Sequence, residues 1–486
     1  MTTNHSHHHT DQLQLVFLST PAIGNLVPTV EFARHLLNHH PQFSATILLI
    51  NEDHRPIVNI YSQSISATAP NIRFIHLPPV YPPSPDQFYS SLGYVSLLIN
   101  NHKPQVKNAI ANLIGTHSSP KSPSRVAALF VDMFCTPMID VANELGVPCY
   151  LFFQSPASFF GFMIDLPDLD PKLVTGFSDS DTEFSIRSFR NPVPKNLLPN
   201  TVLKGKDGYS WYVHHGRRYM EAKGIVVNTF RELESYAIDS LSSGGVPKVY
   251  PIGPVIDLNG PSLWHPDRAH YETVAKWLDG QPKSSVVFLC FGSMGSLSGK
   301  QVREIAVGLE RAGFRFLWSL REPPKTQLDL PSDYVDVSEA ALPNGFLERT
   351  AGMGLVCGWV PQVTILAHQA IGGFVSHCGW NSILESLWYG VPIATWPIYA
   401  EQQLNAFEMV KELGLAVELR LDYREGRHNL IPAEEVERGI KRLMKDDERV
   451  REKVKEMREK SRMTLMDNGS SSVSLGALVK DLMSDN

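Results

Sequence analysis

The chain has 486 residues, a length that predicts two or three domains. Hydrophobic residues account for 43% of it and charged residues for 19%, and the formal net charge is −6, all ordinary for a globular protein. No long basic block occurs, which argues against nucleic acid as a partner. No apolar run reaches the ~18 residues that a membrane-spanning helix needs. The five cysteines are scattered without a CxxC pair, which predicts reduced thiols and a cytoplasmic protein.

The N-terminal part of the chain begins with a polar tail and continues as an α/β pattern. Residues 1–12 lack the apolar core of a signal peptide, so we expect a disordered tail. Short apolar runs then alternate with helical patterns. Continuous runs such as ATILLI are typical of strands buried on both faces, as in a parallel sheet. The predicted strands are residues 13–18, 45–50, 126–132, 147–153 and 224–230.

A stretch rich in proline and glycine, residues 244–266, predicts a linker between domains. We place this linker at residues 249–270, after an N-terminal domain at 13–248 and before a C-terminal domain at 271–465. The remaining residues, 466–486, are predicted to form a helix that packs back on the N-terminal domain.

The α/β alternation resumes after the linker. SVVFLCFGS, residues 285–293, predicts a strand that ends in a Gly-Ser loop, and FRFLWSL, GLVCGWV, GGFVSH and PIATWP predict further strands. Residues 321–343 are polar and contain proline, so we expect a long surface loop there. Two α/β domains in series place a cleft between the carboxyl ends of their strands, where such sheets bind ligands. Neither GxGxxG nor GxxxxGK[ST] occurs, so simple dinucleotide and P-loop sites lack their fingerprints.

Residues 359–402 carry the densest chemical pattern in the chain. Within them, SHCGWNS predicts a strand that turns into a helix. Asn381 or Ser382 is suited to cap this helix, and free main-chain N–H groups at its start suit an anionic phosphate. His377 is placed beside them to hydrogen-bond a phosphate oxygen.

Other residues of the same segment suit the remaining parts of a sugar nucleotide. Trp359 ends a strand and is suited to stack on a planar base. Glu385 lies one helical turn beyond the phosphate-binding residues, where a carboxylate can accept both hydroxyls of a ribose. Glu401 and Gln402 begin another helix and can bind sugar hydroxyls.

This segment resembles the C-terminal signature of plant UDP-sugar-dependent glycosyltransferases, glycosyltransferase family 1, in its length, its opening Trp, its HCGWNS and LES, and its closing Glu-Gln. The resemblance extends to VFLCFGSMG, GIVVNTF, FVDMFC and the N-terminal loop, and so covers essentially the whole chain. It is strongest to the enzymes that glucosylate flavonoids, other phenolics and terpenoids. It implies the GT-B fold, an α/β fold with two Rossmann-like domains whose parallel sheets face a cleft. It also implies UDP-glucose as co-substrate, a small lipophilic acceptor, a monomer, and neither cofactor nor metal.

The resemblance also implies the residues of both substrate sites. For the donor, it implies that Trp359 and Val360 contact uracil and that Gln362 and Glu385 contact the ribose. The diphosphate would be bound by Ser293, His377, Gly379, Asn381 and Ser382. The sugar would be bound by Trp380, Glu401 and Gln402. For the acceptor, the candidate wall residues are Gly24, Tyr81, Phe134, Phe153, Phe159 and Phe160.

The chain departs from the family pattern at the catalytic base. Family members invert the anomeric centre, and a His in the N-terminal loop, held by an Asp at the end of a later strand, takes the proton of the acceptor. FVDMFC supplies Asp132, but STPAIGNLVP reads Gly24-Asn25 where the resemblance implies Gly-His. Asparagine donates and accepts hydrogen bonds but is not a base. We expect Asp132 to bond to the Asn25 amide instead.

Three explanations for Asn25 remain open from the sequence. It is an introduced substitution that leaves the substrates unreacted, a natural residue serving an anionic acceptor such as a carboxylate or an acidic phenol, or a sign that the chain only binds. His35, His39 and His40 are predicted on the surface of the following helix rather than as substitute bases. Sugar-nucleotide epimerases and glycogen-type phosphorylases share the architecture, but the sequence has no pattern for their catalytic carboxylates or cofactor lysine.

Overall fold

The computed structural model describes residues 13–50, 56–116, 125–174, 183–203, 207–260, 268–324, 330–337, 342–424 and 429–484. The predicted tail, residues 1–12, lies outside these ranges. Within them, no helix is long and apolar enough to cross a membrane. All five cysteines are free and buried.

The N-terminal half is built on a parallel sheet. Its strands are β1 (Leu13–Leu18), β2 (Phe43–Leu49), β3 (Ile72–His76), β4 (Arg125–Asp132), β5 (Cys149–Phe153), β6 (Glu183–Phe184), β7 (Val193–Pro194), β8 (Gly224–Val227) and β9 (Val249–Pro251). Seven of them form one sheet in the order β3-β2-β1-β4-β5-β8-β9, with every neighbouring pair parallel. Strands β6 and β7 form a separate antiparallel pair.

Helices cover both faces of this sheet. They are α1 (Ile23–His39), α2 (Pro56–Thr68), α3 (Ser91–Asn101), α4 (Lys103–Thr116), α5 (Met138–Leu145), α6 (Ala157–Val174), α7 (Asn200–Leu203), α8 (Asp207–Tyr219) and α9 (Arg231–Ser240). Along β1, Val16 and Leu18 belong to one apolar core, and Leu15 and Phe17 to the other. The strand is therefore buried on both faces, which explains its continuous apolar sequence.

The C-terminal half repeats this plan. Its strands are β10 (Val286–Cys290), β11 (Arg315–Ser319), β12 (Arg321–Glu322), β13 (Ser332–Asp333), β14 (Gly354–Cys357), β15 (Ile371–Ser376), β16 (Ile393–Thr395) and β17 (Ala416–Val417). Six of them form a second parallel sheet in the order β14-β11-β10-β15-β16-β17. Strands β12 and β13 form a small antiparallel pair.

Two of the described helices of this half continue as π-helical turns, Glu408–Glu412 and Arg442–Asp446. They are α10 (Arg268–Asp279), α11 (Gly299–Ala312), α12 (Phe346–Arg349), α13 (Gln362–Leu366), α14 (Trp380–Tyr389), α15 (Gln402–Phe407), α16 (Ala433–Lys441), α17 (Glu448–Met463) and α18 (Ser470–Ser484). Helix α15 runs directly into the π-helical turn Glu408–Glu412.

Edge strands account for two differences from the sequence prediction. Strand β9 lies within the segment predicted as a linker, and Pro251 is accommodated because an edge strand needs fewer main-chain donors. Strand β3 has no counterpart among the predicted strands. It is also at an edge, and its alternation is interrupted by Arg73 and His76.

Helix α18 packs on the N-terminal sheet. Leu475, Leu478, Val479 and Leu482 are buried in the same apolar core as β1 and β9. Asp481 pairs with Lys248 at 2.7 Å and also accepts a hydrogen bond from the Tyr250 hydroxyl. The last helix of the chain thus joins the first domain.

Replacing Leu478 by alanine tests this packing. Leu478 is fully buried, so Leu478→Ala removes apolar contacts and leaves a cavity, and we expect it to lower the free energy of unfolding by about 2–5 kcal/mol. The matched control is Val473→Ala on the same helix, where the side chain is 60% exposed and the expected change is within about 0.5 kcal/mol. Equal denaturation midpoints for the two variants would contradict the packing.

Candidate active site

A cavity of about 460 Å³ lies between the two halves of the chain. Most of its wall residues follow the carboxyl ends of strands, namely β1, β4 and β5 on one side and β10, β14, β15 and β16 on the other. Ligands of parallel α/β sheets bind at this edge. All twelve residues predicted for the donor site line this one cavity.

His377 follows β15 and is buried. Burial lowers the pKa of its imidazole to about 4, although a hydrogen bond to the main chain of Cys290 acts in the opposite direction. The ring is therefore neutral near pH 7 and donates from one nitrogen only. Gly292 and Gly379 leave room for it, since a Cβ at these positions would lie 2.6 and 2.5 Å from Nε2.

Helix α14 begins two or three residues earlier than the sequence suggested. It starts at Trp380 with Gly379 as N-cap, and no side chain caps it. Asn381 and Ser382 therefore lie inside the first turn rather than at the cap. The reason is the preceding turn, in which Cys378 has a φ of 62°. The first main-chain N–H groups of the helix have no intrahelical acceptor, so they are available to an anion.

Gln362 and Glu385 form a polar pair on this wall. Gln362 Nε2 donates to Glu385 Oε2 at 2.7 Å and to Ser382 Oγ at 2.8 Å. Burial raises the pKa of Glu385 to about 7, against the lowering effect of the Gln362 hydrogen bond, and negatively charged Asp257 raises it further. Gln362 Oε1 is buried without a hydrogen-bond partner in the described structure. A ligand that donates hydrogen bonds, such as a diol, would satisfy this oxygen and the carboxylate.

Glu401 and Gln402 are fixed by contacts from both domains. Glu401 Oε1 accepts a hydrogen bond from Ser155 Oγ at 3.0 Å across the cleft, and burial raises the pKa of its carboxyl group. Gln402 Oε1 accepts from the main-chain nitrogens of Ile398 and Tyr399 at 2.9 and 3.0 Å. The amide of Gln402 is thereby oriented, and its Nε2 is the group left to donate to a ligand.

Trp359 is held by the small β12–β13 pair. Its main-chain nitrogen donates to Asp333 Oδ1 at 2.9 Å, and Arg321 Nε lies 2.8 Å from the same oxygen. The segment predicted as a surface loop thus supplies part of the support for the donor site. Residues 325–329 and 338–341 of that segment lie outside the described ranges.

Asn25 faces the same cavity from the N-terminal domain. Helix α1 begins at Ile23, so Asn25 is in its first turn rather than in the preceding loop. Asn381 Nδ2 donates to the Gly24 carbonyl at 3.1 Å. This bond brings the first turn of α1 directly against the side of the cavity that carries the predicted donor residues, called the donor wall below. Gln154 Nε2 donates to the Asn25 carbonyl at 2.8 Å. The side-chain amide of Asn25 forms no hydrogen bond to the residues that the structure describes, so it is available to a ligand.

Asp132 is occupied by other donors. The expectation that it bonds to Asn25 is wrong, because its two oxygens accept from Ser19 Oγ at 3.3 Å, Thr20 N at 2.5 Å, Thr20 Oγ1 at 3.0 Å, Phe134 N at 3.0 Å and Cys135 N at 3.1 Å. The carboxylate therefore ties the end of β4 to the chain between β1 and α1.

Comparison with known proteins places this geometry in a family. The family model "UDP-glucoronosyl and UDP-glucosyl transferase" matches residues 247–455. UDP-glycosyltransferase 43 of Pueraria montana var. lobata is 55% identical to this chain, with 97% of the chain and 99% of the relative covered. UDP-glycosyltransferase 71K1 of Malus domestica is 48% identical, with 98% and 100% covered. The chain belongs to the plant UDP-glycosyltransferases.

Solved structures of this family confirm the predicted GT-B fold. A crystal structure of Medicago truncatula UGT71G1 complexed with UDP-glucose superposes with a TM-score of 0.87, at 43% identity and with 97% of this chain and 98% of that one covered. A UGT transferase from Siraitia grosvenorii in complex with UDP gives a TM-score of 0.86 at 44% identity, with 97% and 100% covered. The two Rossmann-like halves described above are thus those of a UDP-glycosyltransferase.

The structure separates the expected acceptor residues into two groups. Gly24 and Phe134 line the cavity. Tyr81 does not line it and is 93% exposed. Phe153 and Phe159, together with Phe160, are fully buried in the apolar core, because β5 is covered on both faces and the start of α6 packs against it. Their expected place on the wall was therefore wrong.

Several wall residues were missed by the sequence prediction. Met133, Gln154 and Ser155 directly follow predicted strands, so the rule that ligands bind at strand ends would have found them. Ile57, Val58, Tyr212 and Leu330 come from segments without a distinctive pattern and are brought in by the fold. No group of three or more His, Cys, Asp or Glu side chains suited to a metal ion occurs in the described ranges.

The anchoring by Asp132 predicts a stability defect in Asp132→Asn. An amide group has one acceptor oxygen, so at least one buried N–H donor to Asp132 would lose its partner, and we expect the free energy of unfolding to fall by about 1–3 kcal/mol. Denaturant unfolding measures this, with the surface variant Asp86→Asn as control. Wild-type stability of Asp132→Asn would contradict the anchoring role.

Proposed function

We propose that this UDP-glycosyltransferase transfers glucose from UDP-glucose to the hydroxyl group of a small aromatic acceptor, with inversion at the anomeric carbon. The observation that carries the proposal is that Asn25 and the twelve donor residues line one interdomain cavity. UDP-glucose is bound in the solved Medicago relative, and two Fragaria relatives are named as UDP-glucose flavonoid 3-O-glucosyltransferases, one of them as putative.

The donor half of the cavity suits each part of UDP-glucose. Trp359 offers a ring to uracil, and Glu385 with Gln362 offers acceptors to the ribose hydroxyls. The first turn of α14 offers main-chain N–H donors to the diphosphate, and His377 lies beside this turn. Glu401 and Gln402 offer an acceptor and a donor to glucose hydroxyls.

The reaction is a single displacement. The acceptor oxygen forms a bond to C1 of glucose while the bond from C1 to the phosphate oxygen breaks, and its electron pair leaves with UDP. Hydrogen bonds from the main-chain N–H groups of the first turn of α14 stabilise the charge that grows on the diphosphate.

Removal of the proton from the acceptor hydroxyl is the step at which this chain is unusual. Asn25 cannot take it, and Asp132 is fully hydrogen-bonded to its own domain. An acceptor that is already ionised needs no base. Asn25 can then donate a hydrogen bond that orients the phenolate oxygen.

The cavity favours acidic phenols over carboxylates as acceptors. Its described wall contains no lysine or arginine and carries the acidic side chains of Glu385 and Glu401. A carboxylate is ionised throughout the neutral range and would enter without a cationic partner, which is unfavourable, whereas an acidic phenol also exists in its neutral form and can enter uncharged. Ile23, Met133 and Phe134 instead offer apolar contacts to an aromatic ring.

Restoring a histidine at position 25 tests the missing base. A positioned base contributes about 10²–10⁴ in rate, so Asn25→His should raise kcat/KM for aliphatic alcohol acceptors by at least about 10². Asn25→Ala, which supplies no base, should show no such gain. Release of UDP and of glucosylated acceptor measures the rate, and an unchanged rate in Asn25→His would refute the missing-base account.

A series of acceptors tests the need for ionisation. In the wild-type chain, kcat/KM should rise as the pKa of a substituted phenol falls towards the assay pH, while benzoate and aliphatic alcohols stay poor acceptors. The kcat/KM of Asn25→His divided by that of wild type should fall towards one for phenols that are fully ionised in the assay. The same ratio for every acceptor, or benzoate as the preferred acceptor, would contradict this prediction.

A further inference from the structure

A pair of buried glutamates joins the two domains outside the substrate cavity. Glu234 belongs to α9 of the N-terminal domain, and Glu408 opens the π-helical turn that continues α15 in the C-terminal domain. Ser158 of α6 bonds to both of them, because its main-chain nitrogen donates to Glu234 and its hydroxyl donates to Glu408. Glu234 is 2% exposed and Glu408 is 3% exposed, so bulk water does not screen an interaction between the two carboxyl groups.

Glu234 is held as the anionic partner. Its Oε1 accepts from Ser158 N at 2.8 Å and its Oε2 from Ala157 N at 3.0 Å, so it caps the N-terminus of α6 with both oxygens. Main-chain donors at a helix N-terminus favour a carboxylate.

Glu408 is held as the neutral partner. It accepts from Ser158 Oγ at 2.6 Å and needs a proton of its own to bond to Glu234. Burial and the negative charge of Glu234 raise the pKa of Glu408, and Glu412 on the same turn acts in the same direction. No lysine or arginine pairs with either glutamate in the described structure. Two hydrogen-bonded carboxyl groups in such a site share one proton.

The position of Glu408 connects this pair to the sugar site. Helix α15 is only six residues long, from Gln402 to Phe407, and its N-cap is Glu401. Glu401 and Gln402 thus stand at one end of a short rigid segment whose other end is tied to α6 and α9. We propose that Glu408, bonded to Ser158 beside Glu234, is an interdomain positioning residue that sets the place of Glu401 and Gln402 against the acceptor domain.

Replacing Glu408 by glutamine distinguishes the effect of its hydrogen bonds from the effect of its ionisation. Glu408→Gln keeps a donor for Glu234 and an acceptor for Ser158 Oγ but never ionises, whereas Glu408→Leu removes both bonds. Glu412→Gln is the matched control. Glu412 lies on the same turn and also bonds across the domains, to Arg190 N at 3.0 Å and Asn191 N at 2.9 Å, but at the surface.

The first measurement is thermal stability against pH, which requires no activity. A pKa that is higher in the folded than in the unfolded state means that stability is lost as pH rises from the unfolded value of Glu, about 4.3. Wild type and Glu412→Gln should therefore lose Tm relative to Glu408→Gln as the pH is raised above about 5. A difference in Tm that does not change with pH would overturn the assignment of a neutral Glu408.

The second measurement rests on the proposed function and asks what the pair positions. We expect Glu408→Leu to raise the KM for UDP-glucose about tenfold and Glu408→Gln to restore it, while the Kd for UDP, which lacks the sugar, stays within about twofold of wild type. If Glu408→Leu weakens the binding of UDP and of UDP-glucose equally, the pair has only a general structural role, and the proposed positioning of Glu401 and Gln402 is refuted. If no variant and no wild-type sample transfers glucose, the proposed function fails, and the pH dependence of Tm still decides the state of Glu408.

Discussion

The structure depends on one constraint, that two parallel sheets present the carboxyl ends of their strands to the same cleft. A parallel strand buried on both faces has no room for polar side chains along its length, so chemical groups collect where the strand stops. Asp132 stands at the end of β4, His377 follows β15, and Trp359 follows β14. The cleft therefore gathers residues that are far apart in sequence. Hydrogen bonds join its two walls, among them those from Asn381 Nδ2 to the Gly24 carbonyl and from Ser155 Oγ to Glu401 Oε1.

Within the cleft, the two walls differ in how completely they are pre-organised. On the donor wall, Gln402 is oriented by two main-chain donors, and Gln362 orients Glu385. On the acceptor wall, the Asn25 amide has no such partner in the described structure. We expect such a site to bind a sugar nucleotide through groups that are already fixed, while the Asn25 amide is fixed only when it donates to the acceptor oxygen. This division is why acceptor acidity, rather than donor binding, is expected to limit the reaction.

Buried carboxyl groups with raised pKa values occur both in the cleft and at the interface between the two domains. The cleft and its surroundings hold several buried carboxyl groups, and each has a different partner: Glu385 has an amide, Glu401 a hydroxyl, and Glu408 another carboxyl group. Burial raises the pKa in all three, but the Glu234–Glu408 pair needs a proton to form its hydrogen bond at all. The interface is therefore expected to be the most sensitive of these sites to alkaline pH.

The sequence alone determined the fold class and the two halves, because these depend on local patterns of apolar runs and strand ends. Its dense signature segment supplied most of the twelve predicted donor residues, and the structure gathers all twelve in one cavity. The sequence also determined that position 25 holds no base. The tertiary structure decided what depends on contacts between distant segments. Phe153 and Phe159 fill the core, whereas Tyr212 and Met133 line the cavity, and no local pattern distinguishes a core aromatic from a wall residue. Likewise, only the fold gave Asp132 its five donors and Glu408 its partner, since a hydrogen bond between domains is set by packing and not by spacing along the chain.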